Sequence, residues 1–234
     1  MPLRIETFGP HALLVRFEKS GDEASFAQAQ ILQRHLDERA PPGLLEVTPG
    51  FRTLLLEYHP GTRPEPPVVA AALASALKEA ADPSPPSRTV EIPTVYDGPD
   101  LQQVARHTGL EPAEIIRRHT AATYRVQILG FAPGFAYLSG LDRKLRVPRL
   151  AAPRPHVPAG SVAIGGEHTG VYPVATAGGW NLIGRTSLRL IDPAAAWVGK
   201  AEAFLLRPGD AVRFVSIVSS DTDPGPKPDP KPGP

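Results

Sequence analysis

Six consecutive residues, Asp82-Pro83-Ser84-Pro85-Pro86-Ser87, constrain this chain more than any other feature of its sequence. Each proline removes a backbone donor and fixes φ, and it also pushes the residue before it out of the helical region. Neither a helix nor a central strand can run through such a segment, so the 234 residues are expected to fold as two units joined by a stiff polar linker. The boundaries are placed at 1–81 for the first unit, 82–88 for the linker and 89–218 for the second unit. Residues 219–234 form a proline-rich tail. In that tail prolines alternate with polar residues or glycine, which predicts an extended, disordered segment without a catalytic role.

The first unit reads as α+β. Leu3, Ile5 and Thr7 alternate with Arg4 and Glu6, and Leu13, Val15 and Phe17 alternate after the Gly9-Pro10 turn, the period of a half-buried hairpin. Ala27, Ile31, Leu32 and Leu36 fall at helical spacing, predicting a helix over 22–39 that Pro41-Pro42-Gly43 ends. Residues 44–47 and 53–58 read as a second strand pair. Pro66-Pro67 opens a second helix, with Val69, Leu73, Ala76, Leu77 and Ala80 as its apolar stripe. Two such β-β-α repeats make a four-stranded sheet with both helices on one face.

The second unit begins with a strand over 88–96. Asp100 is expected to cap a short helix, with Gln103 closing a capping box and Gly109 ending it; a further short helix starts near Pro112. Beyond Tyr124 the pattern is short strands and Gly or Pro turns. Segments 161–164 and 171–176 flank Gly165-Gly166 as a hairpin, while 186–191 and 211–218 alternate cleanly, the latter after the Arg207-Pro208-Gly209-Asp210 turn. So many short strands favour a closed barrel over an open sheet.

Composition excludes several classes. Hydrophobic residues make up 41% and charged residues 21%, suiting a globular chain with a real core. The longest mostly apolar run, 68–77, is too short to span a bilayer, and the first residues lack the apolar stretch of a secretory signal. With no cysteine there are no disulfides, thiolate metal sites or cysteine nucleophiles. The chain is expected to stay in the cytoplasm, away from membranes. A net charge of +1 offers little attraction to phosphate backbones. The helices over 101–119 have helix-turn-helix spacing and end in Arg117-Arg118-His119. But Pro112 opens the supposed recognition helix and few residues follow it, so two helices plugging a barrel is the preferred reading and no nucleic-acid partner is expected. The seven histidines lack metal-ligand spacing, and His156 with His168 has no third partner, so no metal site is expected.

Charge distribution is more telling than its sum. Between Ile115 and His156 stand eight Arg or Lys and a single acid, Asp142. Three segments in this half could carry chemistry. Gly130-Phe131-Ala132-Pro133-Gly134-Phe135-Ala136-Tyr137-Leu138 alternates aromatics with small residues, able to wall a pocket or to form a tight barrel corner. The segment 149–162 holds Arg154 and His156 on a proline-stiffened backbone, donors for an anion or simply a solvated loop. Thr176-Ala177-Gly178-Gly179-Trp180-Asn181-Leu182-Ile183-Gly184-Arg185-Thr186 packs glycines around amide, guanidinium and hydroxyl donors. It could hold phosphate or carboxylate or be a bulged hairpin, and it does not match a P-loop.

With these three segments together, G-F-A-P-G-F-A-Y-L, R-x4-R-x3-P-A-G-S-V and G-G-W-N-L-I-G-R-T, the chain resembles the KipI/PxpB family, also called allophanate hydrolase subunit 1. The resemblance covers residues 3 to about 217. It implies a ferredoxin-like N-terminal domain and a cyclophilin-like β-barrel, without implying prolyl isomerase activity. It also implies a non-autonomous B-type subunit of an ATP-dependent 5-oxoprolinase. With subunit-C-like and subunit-A-like partners, ATP and Mg in the assembled complex would activate 5-oxoproline for ring opening to glutamate. An alternative is a regulator that binds the dimerisation region of a sensor histidine kinase and inhibits it. Third comes an allophanate hydrolase subunit, for which no glycine-serine-rich amidase signature appears. Phosphorylating a lactam oxygen needs magnesium ligands, yet Asp142, Glu167 and Asp192 are scattered, so no tightly bound cofactor is expected on this chain. No catalytic residue is assigned. Arg154, His156 and Arg185 are expected as ligand-facing donors, with Arg154 and Arg185 in one cleft. Phe135, Tyr137 and Trp180 would form its wall beside Pro133, Gly134, Gly178 and Gly179, and Asn181 and Thr186 would orient the ligand.

Overall fold

The structure is a computed structural model and describes residues 3–17, 22–62, 64–79, 88–198 and 200–218. The proposed linker, apart from Arg88, and the proline-rich tail lie outside the described residues. Contacts group the chain into two compact units, Met1–Pro85 and Pro86–Pro234. No helix among the described residues is long and apolar enough to cross a membrane.

In the first unit the hairpin β1 (Leu3–Thr7) and β2 (Ala12–Phe17) is followed by helix α1 (Asp22–Glu38), strands β3 (Leu44–Pro49) and β4 (Thr53–Tyr58), and helix α2 (Pro66–Glu79). The sheet is antiparallel in the order β1-β2-β4-β3, with Ile5 opposite Val15 and Val15 opposite Leu54. Because side chains alternate along a strand, Leu13, Val15 and Phe17 share a face with Leu54, Leu56 and Tyr58. Leu32, Leu36, Leu73 and Ala76 of the two helices join them in one buried cluster.

The second unit is a nearly closed barrel. Its elements are β5 (Thr89–Thr94), helices α3 (Leu101–Thr108) and α4 (Pro112–Ala121), then β6 (Tyr124–Leu129), β7 (Ala136–Ser139), β8 (Arg154–Val157), β9 (Ser161–Gly165), β10 (His168–Val171), β11 (Thr176–Gly178), β12 (Asn181–Arg185), helix α5 (Pro193–Trp197) and β13 (Ala211–Ser216). Seven strands run in the order β12-β9-β10-β7-β6-β13-β5, and β8 with β11 forms a separate ribbon. The edges of the seven-stranded sheet meet where Val95, one residue past β5, exchanges both backbone hydrogen bonds with Arg185 of β12, at 2.9 and 2.8 Å. That contact turns the sheet into a barrel. It demands a close backbone approach, since a Cβ on Gly184 would lie 2.5 Å from the Val95 carbonyl oxygen. Helices α3 and α4 bury Leu101, Val104 and Ile115 in the same core as Ile92, Tyr124, Val126 and Phe214.

Three local expectations are corrected. Gly109 ends α3 in the left-handed region at φ 70°, but Asp100 makes no side-chain cap and no capping box forms with Gln103. The Asp100 carboxylate is turned instead toward Arg154 and the Leu182 N–H. The hairpin over Gly165-Gly166 returns through β10 at His168–Val171, not through 171–176, whose last residue belongs to the β8–β11 ribbon. Residues 186–190 are not a strand; β12 precedes them, because strand pairing is taken up by Asn181–Arg185 against β9 and Val95.

Candidate functional site

The G-F-A-P-G-F turn joins β6 to β7, closed by Gly130 N–H to the Phe135 carbonyl at 3.0 Å and Phe135 N–H to the Ala132 carbonyl at 3.0 Å. Within it Phe131 sits at φ 73°, alone among the described non-glycine residues in the left-handed region. A bulky side chain there costs on the order of 1–3 kcal/mol, so the tertiary fold must hold it in place. The residue stands 61% exposed at the mouth of a cavity.

Phe135, only 2% exposed, is the hub of the wall. Its ring meets Phe131, Tyr137, Tyr172 and Trp180 edge-on at centroid distances of 5.4, 5.0, 5.3 and 5.4 Å. Such T-shaped contacts match ring edges to ring faces and add to the burial of the rings. Two glycines make room for this cluster. A Cβ on Gly165 would lie 2.7 Å from the Trp180 ring, and one on Gly178 would collide with the Tyr172 phenol. Burial pushes the pKa of the Tyr172 hydroxyl up, so it stays protonated at neutral pH.

The cavity enclosed here has a volume of about 330 Å³, and Leu150, Pro153, Ala177 and Gly179 complete its walls. Arg149, the one charged residue of the lining, holds its guanidinium carbon 5.8 Å from the centre of the Trp180 ring. The lining consists of ten aliphatic, aromatic or glycine residues and one guanidinium. The arrangement suits a small, partly apolar anion.

Of the residues singled out in the sequence, Phe135, Tyr137, Gly178, Gly179 and Trp180 meet in this cavity. The others do not line it. Pro133 is exposed in the turn, and Gly134 is buried against Ile191 and Phe204. Asn181 is a strut whose amide donates to the Pro148 carbonyl at 2.9 Å. Buried Thr186 accepts from the Leu188 N–H at 3.2 Å, and His156 is exposed on β8. Arg154 pairs with Asp100 at 2.6 Å and Arg185 with Asp97 at 2.9 Å. The two arginines thus answer acids of one short segment ahead of α3, and the cavity they were expected to share takes its cation from Arg149. Sequence reasoning passed over Arg149, Phe131 and Tyr172. The first two stood inside the quoted motifs, and Tyr172 carried no local signal.

The Arg185–Asp97 pair has side chains 30% and 48% exposed, so solvent screens it. Arg185→Ala is expected to lower stability by about 1 kcal/mol or less and to leave turnover of an assembled enzyme unchanged. Thermal unfolding and turnover measured on the same variant check this, and a lost turnover in a folded protein would return Arg185 to the ligand site.

A family model described as carboxyltransferase domain, subdomain C and D, matches residues 3–198. The chain is 37% identical over 231 residues to the 5-oxoprolinase B subunit of Bacillus subtilis, covering 93% of this chain and 94% of that one. It is 56% identical over 134 residues to the 5-oxoprolinase B subunit of Escherichia coli O157:H7, where the match spans 56% of this chain and 59% of the relative. Among solved structures, TTHA0988 superposes with a TM-score of 0.75 at 39% identity, over 93% of this chain but only 42% of the other.

Proposed function

Since the chain belongs to the carboxyltransferase subdomain C and D family and, within it, to the 5-oxoprolinase B-subunit type, we propose that it serves as the B-type subunit of an ATP-dependent 5-oxoprolinase, working with C-type and A-type partners to open 5-oxoproline to glutamate. The near full-length match to the Bacillus subtilis B subunit carries this reading. The geometry agrees with it, because a cavity with one cation and no carboxylate is a binding site that needs another subunit for chemistry. We read the first unit as ferredoxin-like and the second as cyclophilin-like.

The lactam carbonyl is a poor electrophile, and phosphorylating its oxygen activates the ring carbon. Water adds there, the C–N bond breaks with the nitrogen leaving as the protonated amine, and the acyl phosphate so formed hydrolyses to glutamate and phosphate. ATP with magnesium supplies that chemistry, and it requires several positive groups around the triphosphate and carboxylates for the metal. The residues present do not fit that load. The cavity offers a single guanidinium, and among the described residues no group of three or more His, Asp or Glu could hold a metal ion. The nucleotide therefore belongs to the partners, and its use suits an assembly in the cytoplasm.

Reconstitution tests the proposal. Glutamate formation from 5-oxoproline and ATP is expected with all three subunit types present, lost when this chain is left out and restored when it is returned. Turnover by the purified chain alone, or full turnover without it, would overturn the reading.

A further inference from the structure

We propose that the aromatic cavity of the barrel is the seat of the 5-oxoproline ring, with Arg149 as counter-ion to its carboxylate; this deepens the B-subunit reading and rests on it. Charge, shape and hydrogen bonding all favour that ligand. Arg149 has no acidic partner among the described residues and is the one charged group in the lining, so the site is matched to a ligand with a single negative charge. A triphosphate carries several. A cavity of about 330 Å³ lies at the small end of ligand sites, which run from about 300 to 1,000 Å³.

Five aromatic rings and several glycine and proline surfaces favour a compact ring with apolar methylenes, while the Arg149 cation repels an ammonium group and no carboxylate lines the cavity to pair with one. That separates a lactam acid, whose nitrogen is an uncharged amide, from proline or glutamate, whose nitrogen is cationic. The Tyr172 hydroxyl, kept protonated by burial, lines the same cavity and can donate to a carbonyl oxygen. Phe131, held at φ 73° and exposed at the mouth, is placed to cover a bound ring. The fold maintains this unfavourable backbone on the face where a ligand would enter.

The chain has two tryptophans, Trp180 in the cavity and Trp197, which is 91% exposed. Trp197→Phe therefore leaves Trp180 as sole reporter. Saturable change of its fluorescence is expected with 5-oxo-L-proline, with a dissociation constant at least tenfold weaker for 2-pyrrolidinone, which lacks the carboxylate, and for L-proline, which adds an ammonium. In the reconstituted complex Arg149→Gln is expected to raise the KM for 5-oxoproline about tenfold and leave the KM for ATP unmoved, with Arg149→Lys between the two. Circular dichroism confirms that the variants fold. An unchanged KM for 5-oxoproline in Arg149→Gln would overturn the proposal, whatever the fluorescence shows, while leaving the subunit reading intact. A complex that never needs this chain would remove the subunit reading itself.

Discussion

Acidifying the protein from pH 7 to pH 4 is expected to remove about 3 kcal/mol of stability through one side chain, His119. This residue of α4 is fully buried, packed against Tyr96, Tyr124 and Phe214 with ring centroids 5.7, 5.3 and 4.4 Å away. Its hydrogen bonds settle its tautomer. The Thr169 hydroxyl donates to the Ala163 carbonyl at 3.0 Å, so at 2.8 Å it must accept from the His119 Nε2–H. Nδ1 is then the bare nitrogen and accepts from the Tyr96 hydroxyl at 2.7 Å. Burial pushes the Tyr96 pKa up, which keeps that hydroxyl a donor.

A second proton on His119 would face a donor inside an apolar core, and burial pushes the imidazole pKa down to about 3. The unfolded chain takes up that proton near pH 6.5 and the native chain does not. Stability contributed by the neutral ring is therefore present above about 6.5 and falls as the pH drops toward about 3. His119→Gln keeps a donor and an acceptor without titrating. It should be less stable than the parent at pH 7 and show a flatter acid limb of urea-unfolding free energy between pH 7 and 4. Parallel curves for parent and variant would show that His119 does not govern the acid limb.

Asp100→Ala is expected to cost about 3 kcal/mol, roughly 6–12 °C in the Tm of the barrel unit. The Asp100 carboxylate, in a residue 4% exposed, accepts from the Arg154 guanidinium at 2.6 Å and from the Leu182 N–H at 2.7 Å. Truncation leaves a buried N–H without an acceptor and a partly buried cation without its anion. Arg154 stands opposite Gly178 in the β8–β11 ribbon, so the same carboxylate ties the floor of the aromatic cavity to the start of α3 and to β12. Asp100→Asn keeps one of the two acceptor oxygens and loses the charge, so it should fall between the parent and the alanine variant in calorimetry. Equal stability of all three proteins would mean that Asp100 is not the anchor.

Asp100 also shows where sequence reading stops. At the head of a helix an aspartate satisfies every local rule for a cap, and the residue does precede α3. Its actual partners lie 54 and 82 residues further along the chain. Arg185 is similar, since its acid, Asp97, lies 88 residues earlier. A motif names an arginine but not the acid that will neutralise it, and this pairing is what diverted Arg154 and Arg185 from the cavity while leaving Arg149 in it.

By itself the sequence determined the features that periodicity and backbone chemistry dictate. Alternation at Leu13, Val15, Phe17 and at Leu54, Leu56, Tyr58 set the buried face of the first sheet, because side chains on a strand can point only two ways. Gly109 ended α3 because a left-handed backbone there needs a glycine. The convergence of Phe135, Tyr137 and Trp180 was legible because aromatics set among glycines can pack only where backbone leaves room. Tertiary structure alone decided the rest: closure of the barrel at Val95 and Arg185, the burial of His119 between Tyr96 and Thr169, and the choice of Arg149 as the cavity's cation. Each of these depends on groups far apart in the chain meeting in space, and their energies come from burial and charge pairing, which no local window of sequence contains.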